Sequence, residues 1–210
     1  LTEIYRIWSE SEINKKRVAE GKLPANFILT RGSGKAMVPP AFTDTYPGAK
    51  VAVIAGDETI TGIGRMCGFD GYCKETDYIG KAQMAMELLP NYDLVIVHVK
   101  GTDLCGHDNL PFEKVRIIEA VDSMFAYWLE QEGSEDWYFA MTADHSTPCY
   151  RRDHSADPVP SFMTGPDVRT DSVKEYGERA CAEGIINQYT GAQLMATMMD
   201  YLWFSKKYGA

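Results

Sequence analysis

The chain has 210 residues, 45% of them hydrophobic and 11% aromatic, which excludes a disordered polymer and is enough for one large core. Its net charge of −9 excludes the basic face that a nucleic-acid binder needs. No apolar run reaches the roughly 18–20 residues of a membrane helix, and the opening LTEIYRIWSE lacks the basic start and apolar core of a signal peptide.

Residues 3–20 predict a charged helix with Ile4, Ile7, Trp8 and Ile13 as its apolar positions. ANFILTRGSG (25–34) predicts a short buried strand that runs into a glycine-rich turn. A second strand is expected at about 50–55, followed by a helix or loop. Residues 77–90 read as a helix stopped by Pro90. DLVIVHVKG (93–101) is the clearest strand, apolar enough to be central in a parallel sheet covered on both faces. A long amphipathic helix follows over 110–133, with a proline near its start and a glycine at its end. Strands are expected over 136–144 and, at an edge because of its prolines, over 157–165. A helix over 190–209 closes the chain. Alternating strands and helices give an α/β class with a mostly parallel sheet flanked by helices.

The five cysteines are Cys67, Cys73, Cys105, Cys149 and Cys181. Their number is odd and none forms a C-x-x-C pair, so reduced thiols in a cytoplasmic protein are expected rather than a disulfide framework.

Two polar clusters follow two of the expected strands. Asp103 and His107, four apart in KGTDLCGHD, follow the 93–101 strand; Asp144 and His145 follow the next, with His154 nine residues further on. Loops after parallel strands emerge at one edge of a sheet, so the clusters should converge although about 40 residues separate them. Carboxylates and imidazoles without obligatory thiolates suit Mn, Zn, Fe or Mg. Five such side chains exceed what one structural ion needs and match a two-metal site for displacement at phosphorus. A single aspartate after a strand would instead be a helix cap or turn residue, and that remains the reading of Asp108.

Other features are weaker. His98 lies within a strand and is expected to be a satisfied, partly buried histidine. Cys105 and Cys149 match no zinc spacing and read as packing residues. GIGRMCG (62–68) is only superficially like a dinucleotide fingerprint. TRGSGK (30–35) either cradles phosphate through its backbone, with Arg31 as charged partner, or is a tight turn with an exposed arginine.

The stretches VHVKGTDLCGHDN, EKVRIIEAVD and TADHSTPCYRRDHSADPVP resemble the archaeal-type, cofactor-independent (2,3-bisphosphoglycerate-independent) phosphoglycerate mutases of the alkaline phosphatase superfamily. NKKRVAEGKLPANFILTRGSG and the tail VRTDSVKEYGERACAEG…MMDYLWFSKKYGA extend the likeness, collinearly, over essentially the whole chain. The resemblance implies an alkaline phosphatase-like core and two divalent ions, Mn the first choice and Zn, Mg or Co the alternatives. It implies that Asp103, His107 and His154 hold one ion. Asp144 and His145 would hold the other, with an aspartate and a nucleophilic serine from an N-terminal part. That serine takes the phosphate of 3-phosphoglycerate, the glycerate reorients, and its 2-oxygen takes the phosphate back.

Arg31, Asn26 and Lys100 become candidates for binding this small phosphorylated metabolite. No serine here has the context of the nucleophile; Ser146, next to the Asp-His pair, is not assigned that role. Residues 1–24 would be a helical segment leading out of an inserted domain. Residues 25–210 would be the C-terminal part of the metal-binding domain, incomplete and inactive alone. Neither a nucleic-acid nor a membrane partner is expected, and self-association through an uncovered sheet surface is left open. The alternatives are a metal-dependent phosphohydrolase or phosphotransferase of the same superfamily, such as a proposed homoserine kinase, or a non-catalytic relative.

Overall fold

Ser11 breaks the helix expected over 3–20. In the computed structural model, which describes residues 1–30, 32–35, 37–73 and 77–205, helix α1 spans Thr2–Ser9 and α2 restarts at Glu12–Ala19. Ser11 is extended, and its side chain accepts the backbone N–H of Asn14, the standard cap for a new helix. Asn14 is buried and fully used: its amide donates to the Trp8 and Ala25 carbonyls and its oxygen accepts from Ala25 N–H.

The chain divides into two compact units, Leu1–Val38 and Pro39–Ala210. The strand expected at 25–34 does not form among its described residues. Phe27 and Leu29 are 57% and 81% exposed, and the described residues of Leu1–Val38 form no strand. An apolar run gives burial potential, but a strand needs a partner.

The second unit opens with a short helix α3 (Phe42–Thr45) and then strand β1 (Val51–Ala55), buried along its whole length. Helix α4 (Glu58–Met66) follows, capped by Asp57, and leads to β2 (Asp70–Cys73). Helix α5 (Tyr78–Leu88), capped by Asp77, leads to β3 (Leu94–Val97). The three strands form a parallel sheet in the order β2-β1-β3, with Val53 opposite both Gly71 and Ile96.

The α/β class with a parallel sheet flanked by helices is therefore as expected, but the central strand is β1 and not β3. The short β2, DGYC, carries no alternation and no β-branched residue, so its sequence gives no strand signal. Gly62 and Gly64 of GIGRMCG sit inside α4 and Gly68 just past its C-terminal end, none of them at the strand-to-helix turn. A Cβ at Gly64 would lie 2.6 Å from Val53 Cγ1, so that glycine lets α4 pack onto β1.

After β3 come α6 (Gly101–His107) and the long α7 (Pro111–Leu129). Trp128 on α7 donates its indole N–H to the Ala82 carbonyl of α5. β4 (Phe139–Met141) and β5 (Phe162–Thr164) pair antiparallel as a separate ladder. Phe125 of α7 packs edge-on against Phe139 and Phe162 at 5.1 and 5.4 Å, so α7 fixes this ladder through aromatic contact. A short helix α8 (Glu178–Cys181) precedes α9 (Gly191–Tyr201), which buries Leu194, Met198 and Met199. Thr190 and Gln193 form a capping box at the start of α9. Expected over 190–209, α9 ends at Tyr201, and residues 206–209 lie outside the described residues. Among the described residues no helix is long and apolar enough to cross a membrane.

Candidate metal centre

Asp103 and His107 lie on helix α6, so their spacing of four is one helical turn and both point to one face. Asp103 Oδ1 is 3.4 Å from His107 Nε2. Its other oxygen, Oδ2, meets Lys100 Nζ at 2.5 Å. The Asp103 side chain is only 13% exposed. Burial alone would raise its pKa, but hydrogen bonds from Lys100 and Thr147 and the Lys100 charge outweigh that and hold it at about 2.

The second cluster is shaped by a fold-back after β4. Ser146 and Ser155 form an isolated antiparallel bridge, with Ser155 N–H donating to the Ser146 carbonyl at 3.0 Å. The bridge turns the nine-residue separation of His145 and His154 into contact: their rings stack at 3.6 Å. Asp153 accepts the His154 N–H, and Asp157 accepts the Ser155 hydroxyl, so both aspartates support the turn. Asp144 Oδ2 lies 3.3 Å from His145 Nε2 and is open to solvent.

The two clusters do meet. His154 Nε2 is 3.5 Å from Asp103 Oδ1 and 3.2 Å from His107 Nε2. Ligand atoms of Asp103, His145 and His154 also lie within 4.8 Å of one another, so all the histidines of the two clusters adjoin one carboxylate. The route differs from the one expected. β4 pairs with β5 and not with β3, so no shared sheet edge aligns the clusters. The 146–155 fold-back, seated against α6, does so instead.

Asp103 Oδ1, His107 Nε2 and His154 Nε2 form a triangle with edges of 3.2, 3.4 and 3.5 Å. Ligands about 2.0–2.1 Å from a tetrahedral ion lie about 3.3–3.4 Å apart, so the triangle fits one cation. The tautomer of His107 fits as well. Its Nδ1 lies 3.0 Å from the Arg152 carbonyl, which can only accept, so Nδ1 carries the proton and Nε2 has its lone pair free. Arg152 holds that carbonyl in place at φ 55°, a left-handed conformation that disfavours a non-glycine residue by roughly 1–2 kcal/mol.

The remaining expectations divide. Lys100 adjoins the centre through Asp103. Asn26 belongs to the first unit, where its amide donates to Ser9 Oγ. Arg31 lies outside the described residues. His98 is half-buried as expected, but it is not satisfied: its Nδ1 has no hydrogen-bond partner among the described residues. Cys105 is buried, and Cys149 directs its thiol to the Cys105 carbonyl at 3.7 Å, so both pack beside the site. Thr147, Lys114 and the Arg152 backbone carry no metal-ligand signature, and only their contacts reveal them.

Residues 14–201 match the family described as the Metalloenzyme superfamily. The chain belongs to that superfamily. Membership implies divalent metal ions, in keeping with the Asp/His constellation. The chain is 42% identical to a 2,3-bisphosphoglycerate-independent phosphoglycerate mutase of Thermococcus kodakarensis, over 98% of this chain and 52% of that protein. It is 37% identical to one from Methanocaldococcus jannaschii, again over 52% of the relative.

The PH0037 protein of Pyrococcus horikoshii superposes with a TM-score of 0.86 at 38% identity, covering 98% of this chain and 56% of that one. The cofactor-independent phosphoglycerate mutase of Thermoplasma acidophilum gives a TM-score of 0.64 at 28% identity, covering 96% and 50%. The resemblance read from the sequence motifs thus holds across nearly the whole chain. The chain spans about half the length of the curated relatives it matches.

Proposed function

We propose that the protein is a metal-dependent phosphoglycerate mutase that interconverts 3- and 2-phosphoglycerate through a phosphoserine. This superfamily member would carry one three-residue metal site, Asp103/His107/His154, and two ligands of a second, Asp144 and His145. The observation that carries the proposal is the 3.2–3.5 Å triangle of Asp103 Oδ1, His107 Nε2 and His154 Nε2. The donor set, carboxylate and imidazole without thiolate, favours Mn²⁺, with Zn²⁺, Mg²⁺ or Co²⁺ as alternatives. When bound, the ions would activate a hydroxyl nucleophile and neutralise charge on the phosphoryl oxygens.

This chain's own residues would prepare the site. Lys100 keeps Asp103 ionised and leaves a cation beside it, suited to an anionic substrate. The Arg152 carbonyl fixes the metal-binding nitrogen of His107. The His145–His154 stack holds two ligand rings in fixed register. Asn26 and Arg31 are proposed as further substrate contacts from the TRGSG side. The nucleophilic serine and one aspartate ligand of the second ion are proposed to lie outside these 210 residues, in keeping with relatives about twice as long.

The residue 25 boundary, a cytoplasmic location and the absence of nucleic-acid and membrane partners belong to the same proposal. The test is an assay of the full-length protein with Mn²⁺ for 2-phosphoglycerate formation, run beside phosphatase and homoserine phosphorylation assays. Formation of 2-phosphoglycerate, lost on Asp144→Ala, supports the proposal. Phosphate release or homoserine phosphorylation without mutase activity overturns it.

A further inference from the structure

One buried hydroxyl touches both ligand clusters. Thr147 is 4% exposed, and its Oγ1 lies 2.7 Å from Asp103 Oδ1 and 3.2 Å from His145 Nδ1. A buried hydroxyl needs partners, but nothing in that need requires both to be ligands of the proposed ions. The position is also built. Lys114 Nζ on α7 donates to the Thr147 carbonyl at 2.8 Å. Gly106 on α6 leaves the room for it, because a Cβ there would come within 2.4 Å of the Thr147 carbonyl oxygen.

The proton inventory then fixes the roles. Asp103 is an ionised carboxylate paired with Lys100 and can only accept, so the single Thr147 proton goes to Asp103 Oδ1. The Thr147 oxygen therefore accepts from His145, which places a proton on Nδ1 and leaves Nε2 as the lone-pair nitrogen of the neutral ring. That nitrogen faces Asp144 Oδ2 at 3.3 Å, so two acceptors converge where a cation would reconcile them.

We infer that Thr147 is a positioning residue that couples the two proposed metal sites: its hydroxyl orients Asp103 for one and sets the His145 tautomer for the other. The inference rests on the metal-binding reading above but is testable apart from it. Without the hydroxyl, the His145 proton moves to Nε2, where Asp144 accepts it, and the ring is blocked as a ligand.

The experiment compares wild type, Thr147→Val and Thr147→Ser in the 210-residue chain. Long-range ¹H–¹⁵N NMR of the metal-free proteins at about pH 8.5, above the ordinary histidine range, reads the tautomer of His145. The expected result is Nδ1–H in wild type and Thr147→Ser, and a shift toward Nε2–H in Thr147→Val. Mn²⁺ titration calorimetry should then show an affinity about 10–100-fold lower in Thr147→Val, restored by Thr147→Ser.

An Nε2–H tautomer in wild type overturns the inference, whether or not the valine variant folds. So does a tautomer that is the same in wild type and Thr147→Val. If wild type fails to bind Mn²⁺ while the tautomer follows the hydroxyl, the metal reading fails and the Thr147–His145 link stands. If Mn²⁺ binds equally to all three, the coupling of the sites through Thr147 is wrong.

Discussion

His107 Nε2 and His154 Nε2 lie 3.2 Å apart, although 47 residues separate them in the chain. With the His107 proton committed to the Arg152 carbonyl, only His154 can supply a proton to this contact. A cation in place of that proton would have both nitrogens available as ligands. The pair is thus held in a ligand geometry by the 146–155 fold-back and by α6, each of which is anchored elsewhere.

His154→Ala tests whether the pair is structural or functional. The His154 side chain is half exposed, so its removal should shift the melting temperature by no more than about 2 °C, the effect of a change under about 0.5 kcal/mol. Mn²⁺ affinity should fall at least about tenfold. Calorimetry for heat and for metal on the same sample checks both. A large loss of stability with unchanged metal binding would make His154 a structural residue.

Gly106→Ala should act through packing, although Gly106 itself offers no ligand atom. The new Cβ would meet the Thr147 carbonyl at 2.4 Å and its Cγ2 at 2.7 Å, and Thr147 is held from the other side by Lys114. Overpacking of this kind destabilises by about 1–3 kcal/mol. At roughly 2–4 °C per kcal/mol for a chain of this size, a melting-temperature drop of several degrees is expected by differential scanning calorimetry. Gly62→Ala, within helix α4 and with nothing within 4 Å of the added carbon, is the control and should cost nothing measurable.

The Asp103 carboxylate predicts an acid limb of the stability curve in the metal-free chain. Its folded pKa of about 2 lies below the ordinary aspartate value of 3.8. The folded form therefore binds that proton more weakly than the unfolded form. The stabilisation is fully present above about pH 4 and is lost as pH falls from about 4 to about 2, by up to about 2 kcal/mol. Urea melts of wild type and Asp103→Asn across that range should converge toward low pH. A constant difference between them would show that the Lys100 and Thr147 contacts do not hold the carboxylate down.

The 210-residue chain alone should not interconvert 3- and 2-phosphoglycerate, since no serine here has the context of the nucleophile. A coupled enolase assay on the purified chain with Mn²⁺ checks this. Measurable turnover would mean that the complete catalytic set lies within these residues.

Much of the centre is readable in the sequence because its chemistry is carried by rare residue types. With four histidines in the chain, three of them beside aspartates in two short motifs stand out, and all three meet at Asp103. What the sequence does not reveal is how they meet. The spacing of Asp103 and His107 is compatible with a loop, and only α6 makes it one helical turn. The expected alignment of two strand ends fails because β4 pairs with β5, whose Phe139 and Phe162 both pack on Phe125, a contact that no local pattern reveals. Thr147 is invisible for a different reason. A threonine in STPC reads as a turn residue until its burial and its two partners are known. In the fold, β2 lacks strand propensity yet pairs with β1, whereas residues 25–30 have the apolar run and form no strand.

Asp103, His107 and His154 are proposed to form a cation site. Mn²⁺ content after incubation and desalting, read by elemental analysis on wild type and on Asp103→Ala/His107→Ala, tests it most directly. Bound Mn²⁺ is expected in wild type and none above background in the double variant, with both proteins folded. Equal metal content in the two would contradict it.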